Sequence, residues 1–452
     1  MKILGRLSIA GLVLFALMQF LRPGIPAKPA TGEVQAPPEV KRILEKDCYS
    51  CHSDQRRLSW FDQIVPGYWL VRYDILTARE HLNFSTLGAK PAAAQKAALF
   101  EAVNMIQLGA MPLPAFVKLH PEARIAREDL VTLKAYLSPW TPAVSSPEST
   151  DAKTRENLAP VSLISVHQEF NGLPLDPDFE NWKLISATDR GDNNTFRFVL
   201  GNDIAIQAAH SGNISPWPDG TRFAKIAWQQ QFDLDGLVHP GKFIQVELME
   251  KDAHRYKSTE GWGWGRWRGL DLKPYGADGR FVNECTGCHQ PMRGDDFVYT
   301  LPITAAAFNR DEVVNSSAGV LPATLPYQPL SWNPITMYVD RKARTIATLY
   351  GNRVAIERIQ MSGAAASLGG PKYPTGAVLA LVTWEERDDP HWFGGRIPST
   401  PESVEFVQVV APEQTNRYQR FAGNRFIEER PATSVAARRT RFMLGLTPAR
   451  LP

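Results

Sequence analysis

Two short stretches, DCYSCHS (residues 47–53) and ECTGCHQ (284–290), use all four cysteines of the chain. Each has the spacing C-x-x-C-H: Cys48, Cys51 and His52 in the first, Cys285, Cys288 and His289 in the second. Two thiols one helical turn apart reach the two vinyl groups of one porphyrin, and the adjacent histidine then turns its imidazole toward the iron. A thioredoxin-like pair has no need of the histidine, and a paired zinc site would bring its halves closer together in the chain. The spacing therefore predicts two covalently bound c-type haems. With no cysteine left over, it argues against a disulfide framework.

The N-terminus, MKILGRLSIAGLVLFALMQFLRPG, places Lys2 and Arg6 ahead of a mostly apolar run from Leu7 to Leu21. That is the pattern of an export segment. No A-x-A cleavage site follows, and the apolar run is near the lower limit for a spanning helix. The expectation is a periplasmic protein held at the bacterial inner membrane by an uncleaved anchor, with a soluble form after cleavage as the alternative. Export agrees with c-type haem, which is attached on the outer side of that membrane. A net charge of +3 selects no class of partner. No basic run with interleaved aromatics suggests nucleic acid.

The 452 residues divide by texture. After the export segment or anchor and its spacer (1–37), residues 38–140 read as helical. PPEVKRILEKDCYSCH opens on prolines and puts Val40, Ile43 and Leu44 on one face. A Ser/Pro/Thr-rich linker (141–159) follows. From 160 to 302 short alternating runs such as NTFRFVLG and KFIQVELMEK predict strands. Residues 303–432 repeat that block. Trp182, Thr195, Gly201 and Asn202 match Trp332, Thr345, Gly351 and Asn352 at identical spacing. PDGTRFAKIAW likewise matches PTGAVLALVTW. The second copy has no C-x-x-C-H and is read as a degenerate partner that packs on the first or covers its pocket. Residues 433–452 read as a basic tail, with ARRTRFML a solvated helix.

A haem with one histidine still has a sixth iron position; a side chain there suits electron transfer, and an open one binds small molecules. For the first haem, LGAMPLPAF offers Met111 on a proline-held loop, with His120 and His81 as rivals; Met105 fits a helix interior better. For the second, Met292 is too close to His289 in the chain to swing across the ring. The strand GTRFAKIAW instead supplies Lys225, which shares a face with Phe223 and Ala227. A lysine on such a face is costly without a partner; the alternative is a lysine reaching solvent.

In the order W…GND…PDGTRFAK…CTGCH…DDFVYT, residues 160–302 resemble the cytochrome P-460 family. The resemblance implies a small antiparallel β fold around a c-type haem, with Lys225 near the porphyrin edge and able to bond to it. The repeat has Leu381 at that place. CYSCH, HLNFS and GAMPLP resemble a small haem-binding domain of exported cytochromes. The expected architecture is multidomain α + β: an N-terminal α-helical cytochrome c-like domain and then two mainly antiparallel β P-460-like domains. Hydroxylamine-oxidising members carry a carboxylate soon after the haem histidine. Here Gln290, Pro291, Met292 and Arg293 follow instead, leaving Asp203 or Glu247 as substitutes. EGWGWGRWRG reads as an aromatic wall over the haem or a Gly-hinged hairpin packed on the core.

Together these readings predict an exported diheme cytochrome acting on a small nitrogen species, hydroxylamine or nitric oxide, at an open haem. Electrons would leave through a His52/Met111 haem to a periplasmic redox partner. A protein binding nitric oxide or carbon monoxide without turnover, or a plain electron carrier, is the alternative.

Overall fold

The computed structural model describes residues 2–55, 58–138, 163–233, 236–279, 281–304, 313–361 and 372–449. They belong to two compact units, Met1–Thr141 and Pro142–Pro452. The predicted linker over 141–159 lies outside the described residues.

The first unit is helical. Its main helices are α1 (Lys2–Met18), α2 (Pro38–Asp47), α3 (Tyr49–His52), α4 (Gly67–His81), α5 (Ala92–Gln107) and α6 (Arg127–Leu137). In α2 a proline opens the first turn, with Glu39 there and Lys46 in the last turn, each at the favourable end of the helix dipole. It buries Val40, Ile43 and Leu44, the face read from the spacing. Leu99, Phe100 and Val103 of α5 and Leu133 and Leu137 of α6 are buried as well.

Among the described residues no helix is long and apolar enough to cross a membrane. The stretch after α1, read as a spacer, is strapped to the unit instead. Gln19 bonds both the N–H and the carbonyl of Val65. Tyr68, Trp69, Arg72 and Arg79 donate to the carbonyls of Pro23, Leu21, Gly24 and Pro26. Ile25 and Val34 are buried.

The second unit is a β-barrel made of two copies of one motif. Strands β1 (Lys183–Arg190), β2 (Thr195–Gly201), β3 (Arg222–Phe232) and β4 (Leu237–Lys251) form an antiparallel meander. Strands β7 (Asn333–Asp340), β8 (Thr345–Gly351), β9 (Val378–Asp388) and β10 (Gly395–Gln408) repeat it. The copies join through β4–β7 and β1–β10 pairs, which close the ring. Each copy carries a side ladder: β5 (Trp262–Arg268) and β6 (Lys273–Pro274) on β4, β11 (Arg417–Ala422) and β12 (Ile427–Glu429) on β10.

Equivalent asparagines perform equivalent work. Asn202 accepts from the Ala205 and Arg222 N–H groups and donates to the Gly220 carbonyl. Asn352 accepts from Ala355 and Val378 and donates to Gly376. Both glycines sit at positive φ, +85° and +89°, where a side chain would be strained.

Strand alternation sorts the core. Phe196, Phe198, Trp228, Ile346, Val382 and Trp384 point into one cluster shared by both copies. The outward residues Val199, Phe223, Trp262 and Trp264 form a second cluster with Phe281 and Cys285. On the outside of the degenerate copy, Leu349, Leu379 and Leu381 pack with Met443 and Leu446.

That last cluster corrects the reading of 433–452 as a solvated basic tail. Helix α10 (Thr433–Gly445; α7 to α9 are Asp203–Ser211, Phe281–His289 and Arg353–Met361) lies on this face with Met443 fully buried. Its Arg439 makes two hydrogen bonds to the buried Glu405. The basic residues hid a partner for a buried acid, which charge counting along one helix does not show.

Candidate haem sites

At the first motif, α2 ends at Cys48 and a single turn, α3, brings Cys51 and His52 round. The Nδ1–H of His52 donates to the Leu82 carbonyl at 3.0 Å, leaving Nε2 for a metal. Burial lowers the His52 pKa and pushes the Cys48 thiol up to about 12. Burial thus favours the neutral imidazole, the form a ligand must take. Tyr49 stacks on Phe84 at 5.5 Å and donates to Glu33. Val40, Leu44, Leu99, Val103 and Ile106 line an apolar crevice beside Cys48.

Met111 follows α5 on a loop whose N–H bonds back to the Met105 carbonyl, and its side chain is half-buried. His120 has other partners. Its Nε2 meets Asp62 at 2.9 Å and its Nδ1 meets Glu122 at 3.3 Å, while the ring is stacked by Phe61 and Phe116. With both nitrogens engaged it is a poor axial ligand. His81 is exposed at the end of α4.

The second motif ends α8. His289 Nδ1–H donates to the Phe297 carbonyl at 2.7 Å, again leaving Nε2. Burial, reinforced by nearby Lys225 and Arg266, holds its pKa down at about 4. Trp264 packs at 4.6 Å against the His289 ring.

The strand registers bring the charged residues together. Lys225 on β3 is opposite Glu247 on β4, and Glu247 is opposite Arg266 on β5. The Lys225 ammonium pairs with Glu247 Oε2, and Arg266 Nε lies 2.7 Å from Oε1. Arg266 also approaches Glu284 of α8 at 3.6 Å. Burial, then the positive charges of Arg197 and Arg266, hold the Lys225 pKa well below that of a free lysine. Lys225 thus belongs to an ion-paired row on the same outward face as Phe223, with 32% of its side chain exposed.

The degenerate copy shows what happens without that row. Leu381 stands opposite Glu405 as Lys225 stands opposite Glu247. Leu381 is fully buried, and Glu405 is held by Tyr418 and by Arg439 of α10. A helix from the end of the chain covers the place where the first copy presents its motif.

Of the two substitute bases, Asp203 is exposed at the start of α7, whereas Glu247 is on the motif side. The Trp-rich stretch is strand β5. Trp262 and Trp264 join the motif-side cluster and Trp267 the barrel core, so alternation splits the two functions proposed for it. Arg197, Arg266 and Tyr299 were not singled out from the sequence. Arg197 in NTFRFVLG carried the same signal as Lys225, a charge among apolar residues on a two-residue period.

Both sites fit haem. None of the four cysteines is in a disulfide, and each motif's histidine is held in the tautomer that frees Nε2. At the second site, Arg197 Nε and Trp264 Nε1 are buried without hydrogen-bond partners, which a polar-edged macrocycle is suited to relieve. Among the described residues, no group of three or more His, Cys, Asp or Glu is placed to hold a bare metal ion.

A helical unit and a β-barrel, each presenting a C-x-x-C-H histidine, define a haem cytochrome. Residues 13–139 match the haem-binding domain family and residues 176–300 match the cytochrome P460 family. No curated protein matches the chain.

Proposed function

We propose that the protein is an exported diheme c-type cytochrome that oxidises a small nitrogen species at the His289 site and passes electrons through a His52/Met111 haem to a periplasmic redox protein. The observation that carries this is the Lys225–Glu247–Arg266 row beside the second motif. Haem bound covalently at each motif supplies an iron that changes oxidation state by one electron and, where its sixth position is open, binds a small ligand. Lys225 and Arg266 hold Glu247 in place on that face. Glu247 takes the proton that a substrate such as hydroxylamine must lose, replacing the absent carboxylate after His289. Arg197 and Arg266 keep the face positive, which favours anionic species derived from the substrate.

The second reading is capture of nitric oxide or carbon monoxide without turnover. Gln290, Pro291 and Met292, with no base among them, favour it. Hydroxylamine with an artificial one-electron acceptor, and no peroxide, separates the two. The expected result is hydroxylamine-dependent reduction of the acceptor, slowed about 10²–10⁴-fold in Glu247→Gln. Carbon monoxide binding with no reduction selects gas capture.

The proposal includes attachment to the inner membrane through α1, whose Leu12, Val13, Leu14 and Leu17 are exposed. The strap from Gln19 to Val34 supports retention of this segment, since cleavage before Ile25 or just after it strips hydrogen bonds from α4. N-terminal sequencing of membrane-extracted protein is expected to begin ahead of Gln19. Deleting residues 2–26 exposes the surface that Ile25 covers and costs the first unit about 2–3 kcal/mol. A mature chain that starts beyond Ala27 and melts no lower than the full one would remove the anchor from the proposal.

A further inference from the structure

We infer that the haem-less repeat is part of the haem site of the first: His391 and Trp392, on the β9–β10 connection, are positioning residues for the axial ligand His289. The inference rests on His289 being that ligand.

The acceptor for the His289 Nδ1–H is the Phe297 carbonyl, so the placement of the short strap 296–299 decides how strong that bond is. The strap is strained. Asp296 and Phe297 are consecutive non-glycine residues at positive φ, +50° and +66°. Such backbone persists only where its surroundings over-determine it.

Two sets of restraints hold the strap. At its start, the Asp296 carboxylate accepts from the Trp217 N–H at 2.9 Å, Lys251 Nζ at 2.7 Å and Trp262 Nε1 at 3.3 Å. All of these belong to the first repeat. At its end, the Tyr299 carbonyl accepts from His391 Nδ1–H at 2.7 Å, and His391 comes from the second.

Tyr299 ties this anchor back to the motif. Its hydroxyl donates to the Cys288 carbonyl at 2.7 Å, and its ring meets the His289 ring edge-on at 5.2 Å. Trp392 packs edge-on against Tyr299, at 5.7 Å. Trp392 is itself fixed by Asp192, which accepts its Nε1–H at 3.2 Å, and by Arg190, whose guanidinium lies 4.3 Å over its ring. The second repeat has lost its motif and its lysine, yet its loop holds two of the contacts that locate the axial histidine's hydrogen-bond acceptor.

The hydrogen bond at the far nitrogen of a ligating imidazole sets its orientation and donor strength. A stronger Nδ1–H bond makes the ring a better donor to the oxidised metal. Releasing the strap weakens the bond and favours the reduced state, so the potential rises.

The test is His391→Ala in the full-length diheme protein, with the potential of each haem followed spectroscopically. The expected change is an upward shift of the second haem equivalent to a several-fold to tenfold change in its one-electron equilibrium constant, up to about 59 mV. The first haem serves as an internal reference and stays in place. The Fe–His stretching frequency of the reduced second haem falls in parallel. His391→Asn, whose Nδ2–H can replace the lost donor, returns both values toward the parent.

If His391→Ala yields no holoprotein, Trp392→Phe keeps a ring against Tyr299 and removes only the tie to Asp192; a smaller upward shift is then expected. An unchanged potential and stretching frequency in a variant with both haems attached overturns the inference. Absence of haem on the Cys285/Cys288 peptide fails the haem assignment itself. Absence of hydroxylamine turnover fails only the proposed reaction.

Discussion

In tryptic digests of the holoprotein, the Lys225 peptide is expected to travel with the Cys285–Cys288 haem peptide as a single species, joined through a third bond to the porphyrin. The expectation comes from the strand register that sets Lys225 opposite Glu247 as much as from the resemblance. Lys225 is ion-paired with Glu247 beside the second motif, and transfer of its ammonium proton to that carboxylate, in the direction that burial and the neighbouring guanidinium groups favour, gives the nucleophilic amine. Joining it to a porphyrin edge carbon replaces one N–H and one C–H by a C–N bond, releasing two protons and two electrons. A peroxide is the class of oxidant that accepts them, becoming water. Lys225→Leu installs the residue that the degenerate copy already packs at this register, Leu381, which is fully buried there. That variant should fold and keep its haem on two thioethers while losing the third bond and the altered absorption that goes with it. Glu247 then faces a leucine, its pairing reduced to Arg266. Hydroxylamine oxidation should fall by at least tenfold. If the native digest yields a haem peptide carrying only Cys285 and Cys288, Lys225 is a charge partner for Glu247 and gas capture becomes the stronger reading.

The second large effect concerns the first haem. Met111→Ala should convert a six-coordinate, low-spin iron into an open one and lower its potential by a sizeable part of the roughly 0.8 V range that axial ligands control. A thioether stabilises the reduced iron; water in its place does not. Spin state by electron paramagnetic resonance and potential by redox titration both read this out, with the second haem unchanged. Met105→Ala is the control, because its removal touches the helix and not the iron. Should Met111→Ala leave the first haem low-spin at its original potential, another side chain holds the sixth position. His81 would then be tested next, since both ring nitrogens of His120 already have carboxylate partners.

Much of the haem chemistry was legible because it is local. Two cysteines and a histidine within five residues predict the same neighbours in any helical turn. Val40, Ile43 and Leu44 on one face of α2 and the alternation in β2 and β3 are equally short-range. The matched Asn202 and Asn352 were visible because a capped helix after a strand needs the same residues at the same spacing each time. Misjudgements arose where contacts join distant parts of the chain. The tail seemed solvated until Arg439 met Glu405 across β10. Arg266 is an ordinary surface charge in sequence and becomes a site residue only when β4 and β5 align. Asp203 was a reasonable base on paper and is exposed at the start of α7.

The sequence by itself determined that this chain carries two C-x-x-C-H sites, a helical block, a duplicated strand block and one duplicated position, Lys225 against Leu381, at which the copies part. Each is decided by covalent spacing or by a period of two to four residues. Only the tertiary structure decided that the copies close one barrel, that α10 covers the emptied face, that Glu247 rather than Asp203 faces the motif, and that His391 of one repeat holds the strap behind His289 of the other. Those depend on strand register and ring closure, which arise from many weak contacts satisfied at once.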